Sequence, residues 1–245
     1  MIYDCLNIKK YKKDELFNYY NKEYEEDICS DGSDKKAKIC SELLDKQPQS
    51  MVDIGVADGL FLKEFMNLTK SKRAVGIDIS MPLLKIAQIN NPKIDFYRAD
   101  SKALPFKKQE FDLAILVDVL EHVKSPEKSL KEASRVASQV LIKVPLEDNL
   151  FMNVYKLFVN VNWKQIQGHI NMWNSGTFKR FIKENDLIIV RDYIMKARMV
   201  SQPNKKLWFM NVCQCIAEIF PDSIKTKLTP SEYYCIVEKK NYWNS

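Results

Sequence analysis

Arginine, histidine and glycine are scarce in this chain of 245 residues. Only six of its 38 basic residues are arginines, and the chain has two histidines and six glycines. Nucleic-acid-binding proteins favour arginine, because its planar guanidinium group makes paired hydrogen bonds to phosphates and bases. The net charge of +6 therefore indicates a solvated lysine surface rather than a nucleic-acid-binding face. We expect no nucleic-acid partner.

The chain also lacks the spacings of a metal site and the apolar runs of a membrane protein. Its six cysteines form no C-x-x-C pair and have no zinc-like spacing to histidine. No apolar stretch approaches the roughly 20 residues that a membrane span requires, and the first residues are charged. We therefore expect no metal ligands, no membrane span and a reduced, cytoplasmic protein. The oligomeric state is left open.

From residue 51 onward, short apolar runs alternate with amphipathic segments, which indicates βαβ units, a mostly parallel sheet and helices on both faces. Strands are predicted at residues 51–55, 73–78, 94–99, 111–117, 140–144 (ended by Pro145), from 187, and at 233–238 as an antiparallel edge strand. Helices are predicted at residues 60–68, after Ser80, after Ser125, and at 150–161, 175–184 and 207–220.

Residues 1–48 have a different character, being polar, rich in tyrosine and predicted to be helical at 13–26 and 34–46. We interpret them as an N-terminal helical cap, which either closes over a ligand as a lid or packs on the sheet as a cover. The main domain is predicted at 49–245, with substrate-side insertions at about 146–175 and 197–230.

The sequence DIGVADG at residues 53–59 joins the first of these strands to a helix. Gly55 allows a sharp turn there, while Ala57 and Gly59 let a ligand approach the backbone closely. The following helix N-terminus offers unpaired N–H groups to an anionic group. This loop is the predicted centre of a ligand site.

Two further carboxylates stand at the ends of the next two strands. Asp78 follows Gly59 by 19 residues, a position from which a carboxylate accepts hydrogen bonds from ribose hydroxyls. Asp100, followed by Ser101, stands where it can accept from an adenine amino group. Because parallel strands end at one edge of a sheet, these residues predict a ligand that contains adenosine.

A nicotinamide dinucleotide is the weaker alternative for this ligand. Leu60 stands where the last glycine of the G-x-G-x-x-G pattern belongs. Asp53, which lies within the strand before the turn, suits the ammonium group of a methionine better than a pyrophosphate.

These segments, in this order, resemble the motifs of the class I S-adenosylmethionine-dependent methyltransferases, especially their small-molecule, type 11-like branch. Residues 53–59 resemble the first motif, D-x-G-x-G-x-G, with Ala57 in place of the middle glycine. Similar matches to later motifs are 76–80 on the ribose side, 98–106 on the adenine side, 111–123 around the fourth strand, and 168–173 beyond the fifth strand.

The resemblance implies a Rossmann-like, seven-stranded, mostly parallel sheet with an antiparallel last strand. It implies in-line methyl transfer from S-adenosylmethionine to an oxygen or nitrogen of a small-molecule acceptor, with release of S-adenosylhomocysteine. His169 and His122 are the candidates for a general base or substrate ligand. The cofactor-binding candidates that it implies are Asp53, Gly55, Ala57, Gly59, Asp78, Ile79, Asp100, Ser101 and Asp118.

Several of these residues have structural alternatives of similar weight. Asp118 is as suited to capping the turn after its strand as to contacting the cofactor. Each histidine is as readily structural as catalytic, and Glu121 and His122 could hold their loop in place through hydrogen bonds. For Trp163 and Trp173, packing in an aromatic core is a commoner role than lining a substrate pocket.

Two alternatives also remain for the whole protein. One is a non-catalytic binding or regulatory subunit with a methyltransferase fold, which the intact loop and Asp78 argue against. The other is an RNA methyltransferase, favoured by the basic charge and opposed by the scarcity of arginine. The Asn-Pro-Pro-Tyr motif of nucleic-acid amino methylation is absent after the fourth strand, where residues 118–121 read DVLE.

Overall fold

A computed structural model of the chain describes residues 1–5, 32–149, 168–196 and 231–240. The strands in this part of the chain are β1 Ile2–Asp4, β2 Ser50–Ile54, β3 Arg73–Asp78, β4 Asp95–Arg98, β5 Phe111–Val117, β6 Ala137–Leu146, β7 Leu187–Lys196 and β8 Ser231–Lys239. The helices are α1 Ser33–Glu42, α2 Leu60–Thr69, α3 Met81–Asn90, α4 Pro126–Val136 and α5 Ser175–Glu184.

The eight strands form one sheet in the order β1-β4-β3-β2-β5-β6-β8-β7. Neighbours from β1 to β6 pair in parallel, and β8 pairs antiparallel with both β6 and β7. This confirms the Rossmann-like α/β class and the antiparallel last strand. The predicted position of that strand was wrong, since β8 lies inside the sheet and β7 forms the edge.

The short strand β1 is an addition to the predicted seven, because it extends the sheet beyond β4. Residues 2–4 are therefore extended, where the sequence pattern favoured helix. The second predicted N-terminal helix forms as α1, but Gly32 is its N-cap and Ser33 is its first residue. The predicted helices at 13–26, 150–161 and 207–220 lie outside the described residues.

Helices cover both faces of the sheet, and each face has its own apolar core. On one face, α1, α2 and α3 pack through side chains such as Cys40, Phe65 and Leu84. On the other face, α4 and α5 pack through side chains such as Leu130 and Phe178. None of the described helices has the length and apolar character needed to cross a membrane.

A local sequence signal explains the start of α3. The Ser80 side chain accepts a hydrogen bond from the Leu83 N–H and caps α3, as predicted. Strand β6 runs through Pro145, where the sequence pattern predicted its end. The reason is that β5 ends opposite Lys143, so the proline has a strand neighbour on one side only and its missing N–H is tolerated.

Candidate active site

The strand register brings the ends of β2, β3 and β4 to one edge of the sheet. Asp53 lies beside Gly76, and Asp78 lies beside Arg98, two residues before Asp100. The strand order reverses between β2 and β5, which is where ligands bind in open α/β sheets. The structure therefore brings together the three carboxylates that the sequence singled out.

The loop after β2 is fastened to the end of β3 by backbone and carboxylate hydrogen bonds. The N–H groups of Gly55 and Val56 both donate to the Ile77 carbonyl, at 2.7 and 2.8 Å. The Asp78 carboxylate accepts from the Ala57 N–H at 3.0 Å and from the Ser80 N–H at 2.8 Å. An ionised carboxylate has about four acceptor positions, so these two bonds leave room for hydroxyl donors.

Gly55 and Gly59 are required by the packing of the protein itself. A Cβ atom on Gly55 would come within 2.5 Å of the Val119 side chain, and one on Gly59 within 2.6 Å of the Asn91 amide nitrogen. Both glycines also have positive φ, as does Ala57 at 48°. The sequence interpretation, which assigned Gly59 to close ligand approach, missed this contact with the helix that follows β3.

Asp53 is buried without a compensating cation. Its residue is 3% exposed, and among the described residues no basic side chain lowers its pKa. Burial and the charge of Asp78 together raise the pKa of Asp53 to about 8. A ligand cation placed here would therefore stabilise the carboxylate form.

The Asp100 side chain forms local contacts at the end of β4. Its carboxylate accepts from the Lys102 N–H at 3.0 Å and lies 3.3 Å from the Lys102 ammonium group. The Ser101 hydroxyl is 2.7 Å from that of Ser129 on α4. The backbone carbonyl of Ile79 accepts from the Arg98 guanidinium at 3.0 Å. These bonds fix the backbone on the predicted adenine side of the site.

Asp118 lies at the end of β5 between two lysines that sequence reasoning did not single out. Its carboxylate binds the Lys143 ammonium group in a very short contact and that of Lys36 at 2.7 Å. Burial alone would raise the pKa of Asp118, but the two lysines hold it well below its usual range. Lys143 is buried and also lies 3.2 Å from Glu232 of β8.

The two histidines lie side by side beyond β5. The rings of His122 and His169 make an edge contact with 4.7 Å between their centroids. Nδ1 of His169 lies 2.8 Å from the Glu147 carboxylate, and Nδ1 of His122 lies 3.3 Å from the Gly168 carbonyl. Burial and the neighbouring His169 lower the pKa of His122 to about 4, so this imidazole is neutral at physiological pH.

Glu121 is fully buried beside these histidines. Neither of its carboxylate oxygens has a hydrogen-bond partner among the described residues, so Glu121 holds its loop through its backbone carbonyl and not through its side chain. Burial and the nearby Asp118 raise the pKa of Glu121 well above its usual range. One ligand atom from each of Glu121, His122 and His169 lies within 4.8 Å of the others.

Residues 168–173 are held against the turn after β5 by backbone hydrogen bonds. The N–H groups of Ile170 and Asn171 donate to the Glu121 carbonyl, at 2.8 and 3.0 Å. The Asn171 amide donates to the carbonyls of Leu120 and Val123 at 2.8 and 2.7 Å. These hydrogen bonds explain how two histidines 47 residues apart come to share one site.

Trp173 is buried against Phe178 and Phe181, so its role is core packing and not pocket lining. Trp163 lies outside the described residues. No pattern in the sequence indicates the roles of Glu147 and Lys143, because each meets its partner only through strand pairing or loop docking.

Comparisons with known proteins agree with this architecture. Residues 52–139 match the family model described as "Methyltransferase domain". An uncharacterised protein of Methanocaldococcus jannaschii is 30% identical over 138 residues, which are 52% of this chain and 63% of the relative. A demethylmenaquinone methyltransferase of Renibacterium salmoninarum is 39% identical over 62 residues, 25% of this chain and 26% of the relative.

A solved structure of a putative methyltransferase from Bacillus halodurans has the same fold. It aligns with a TM-score of 0.61 at 14% identity, covering 85% of this chain and 99% of that one. The chain spans less than two thirds of the length of the curated relatives described above. Residues 52–139 thus match a methyltransferase-domain family, and the fold is that of the solved structure.

Proposed function

We propose that this chain, with its class I methyltransferase domain, transfers a methyl group from S-adenosylmethionine to an oxygen or nitrogen of a small-molecule acceptor. One observation carries the proposal: three carboxylates end adjacent strands beside a tight glycine-containing loop. Asp53, Asp78 and Asp100 occupy these positions.

The residues present fit an S-adenosylmethionine molecule laid across the strand ends. The ribose hydroxyls would donate to Asp78, whose carboxylate is fixed by two backbone N–H groups and retains free acceptor positions. The adenine amino group would donate to Asp100, with Ile79 and Ser101 flanking the base. Gly55, Ala57 and Gly59 would bring the loop backbone against the ligand.

The buried Asp53 supports the methionine end of this placement. A carboxylate that is 3% exposed and has no cationic partner among the described residues is costly to ionise. The ammonium group of the methionine would offset that cost. Asp118 is the other predicted contact at this end, and its two lysines hold its carboxylate ionised and in place.

When bound, S-adenosylmethionine supplies an activated sulfonium methyl group that an acceptor lone pair takes in line. The protein then mainly orients the reactants and excludes water. For an acceptor that must lose a proton, His169 is the favoured base or substrate ligand, with His122 next to it. The contact with the Glu147 carboxylate favours a proton on Nδ1 of His169 and leaves a lone pair on Nε2.

Calorimetry with the full chain tests the proposal at its first step. S-adenosylmethionine and S-adenosylhomocysteine are expected to bind with about one molecule per chain, and NAD⁺ is expected not to bind. Absence of S-adenosylmethionine binding would overturn the proposal. Transfer of a tritiated methyl group to a panel of hydroxyl and amine acceptors then tests catalysis. Cofactor binding without transfer favours the non-catalytic subunit, and RNA binding that weakens steeply with salt favours the RNA enzyme.

Binding of the cofactor is expected to release a proton from Asp53. In the free protein its pKa of about 8 keeps this carboxyl protonated at pH 6.5. An ammonium group in contact lowers a carboxyl pKa by roughly 1 to 3 units, so roughly 0.2 to 0.9 of a proton leaves on binding at pH 6.5. Affinity is therefore expected to rise severalfold from pH 6 to pH 7.

The proton release is measured by calorimetry at pH 6.5 in buffers of different ionisation enthalpy. The Asp53→Asn variant, which has the same shape and no titrating group, is the matched control. Equal proton release from wild type and variant would place the ammonium group elsewhere.

A further inference from the structure

The buried carboxylate of Glu121 and the two imidazoles beside it have the composition of a metal site. We propose that Glu121, His122 and His169 bind one divalent transition-metal ion at the acceptor end of the active site. The chain has no other histidines, and the structure gathers both of them at one carboxylate. This departs from the sequence-based expectation of no metal ligands, which considered only spacing along the chain.

The carboxylate is the first independent observation. Glu121 is 0% exposed, and neither side-chain oxygen has a hydrogen-bond partner among the described residues, although the charges of Asp118 and of the buried Lys143 both act on its carboxyl group. A buried carboxylate without a partner is strongly unfavourable, and coordination to a cation would satisfy both oxygens.

The orientation of the two rings is the second observation. In each histidine an acceptor faces Nδ1: the Glu147 carboxylate for His169 and the Gly168 carbonyl for His122. An acceptor at Nδ1 favours the tautomer with its proton there, which leaves the Nε2 lone pair for a metal. Carboxylates and carbonyls orient metal-bound histidines in this way in many proteins.

The distances fit after a small adjustment. One Glu121 oxygen and one ring nitrogen of each histidine lie within 4.8 Å of one another, whereas ligands that share an ion at about 2.1 Å are roughly 3.0–3.5 Å apart. An ion would draw the most distant pair of ligand atoms together by up to about 1.3–1.8 Å, which is less than about 1 Å of movement for each side chain. Two imidazoles and one carboxylate suit Zn²⁺, Mn²⁺ or Fe²⁺ better than Mg²⁺ or Ca²⁺.

The ion would lie close to the cofactor loop, because Val119, two residues before Glu121, packs against Gly55. Three protein ligands leave coordination positions open, and an acceptor oxygen would occupy one of them. This step rests on the proposed function. It narrows the acceptor from an oxygen or nitrogen compound to a hydroxyl compound. The metal-bound hydroxyl loses its proton to solvent, its oxygen forms the new bond to the methyl carbon, and the carbon–sulfur bond breaks to release S-adenosylhomocysteine. Both histidines are then ligands and take no proton.

Metal titration of the full chain, first dialysed against a chelator, tests the proposal without any activity assay. Calorimetry with Zn²⁺ and with Mn²⁺ is expected to show one ion per chain, with Mg²⁺ binding at least tenfold more weakly. Glu121→Gln and His169→Gln are each expected to lose at least tenfold in affinity. Glu110→Gln is the control and should bind like wild type, because Glu110 directly precedes β5 whereas Glu121 follows its other end.

Melting curves identify a variant that loses metal affinity only because it folds poorly. Added Zn²⁺ or Mn²⁺ should raise the melting temperature of wild type and Glu110→Gln, and should leave that of His169→Gln unchanged. Equal metal affinity in wild type and His169→Gln, or no saturable binding in wild type, would overturn the metal site. S-adenosylmethionine binding measured in the presence of chelator tests the proposed function separately, so the two failures are distinguishable.

Discussion

Replacing Asp78 with alanine is expected to weaken S-adenosylmethionine binding by roughly 100-fold. Two hydrogen bonds from ribose hydroxyls to an ionised carboxylate contribute about 1.5 kcal/mol or more each, and 1.4 kcal/mol corresponds to tenfold in affinity. The same carboxylate holds the Ala57 and Ser80 N–H groups, so the variant also loosens the loop. Calorimetry with the purified variants gives the affinities directly.

Asp112→Ala provides the matched control for this experiment. The Asp112 carboxylate accepts from the N–H groups of Gln49 and Ser50, both at 2.9 Å, and so has the same kind of backbone role as Asp78. It lies at the start of β5, on the side of the sheet opposite the strand ends that carry Asp53 and Asp78. Its removal should leave the affinity within about twofold of wild type. If Asp78→Ala also binds like wild type, the ribose is not held at the end of β3.

Much of the fold could be predicted because its signals are local. The apolar runs of β3 and β5 and the cap of α3 at Ser80 each depend on a few consecutive residues, and the structure has them where the sequence placed them. The position of β8 between β6 and β7 was not predictable in this way. Alternation along a strand reports its two faces and says nothing about which neighbours it pairs with.

The contrast between local signals and long-range pairing also separates the predicted parts of the site from the missed parts. The carboxylates at the ends of β2, β3 and β4 were predictable, because parallel strands bring their ends together whatever the loops do. The isolated carboxylate of Glu121 was not, because its surroundings depend on residues 168–173 docking through Asn171. The pairing of Asp118 with Lys143 likewise depends on the register of β5 with β6.

The contacts of Asp118 predict the second large effect, this time on stability. Asp118→Asn is expected to lower the free energy of unfolding by about 2–3 kcal/mol, because it removes the nearest anion from the buried Lys143 ammonium group. The expected loss is below that of a fully buried pair for two reasons. The Asp118 side chain is 31% exposed, and Glu232 remains 3.2 Å from the lysine. Urea unfolding of both proteins at pH 7 measures the difference.

Lys143→Met should lower the free energy of unfolding by less than Asp118→Asn does, because Asp118 keeps other favourable contacts when its lysine partner is removed. Without the lysine, Asp118 keeps its 2.7 Å contact with Lys36 and its access to water, and the methionine fills the buried space. The double variant should be closer in stability to Lys143→Met than to Asp118→Asn, since it leaves no buried cation short of a partner. Losses that simply add in the double variant would show that the two groups stabilise the protein independently. In that case the backbone would hold Asp118 at the end of β5 without help from Lys143. Its carboxylate would then be available to a ligand.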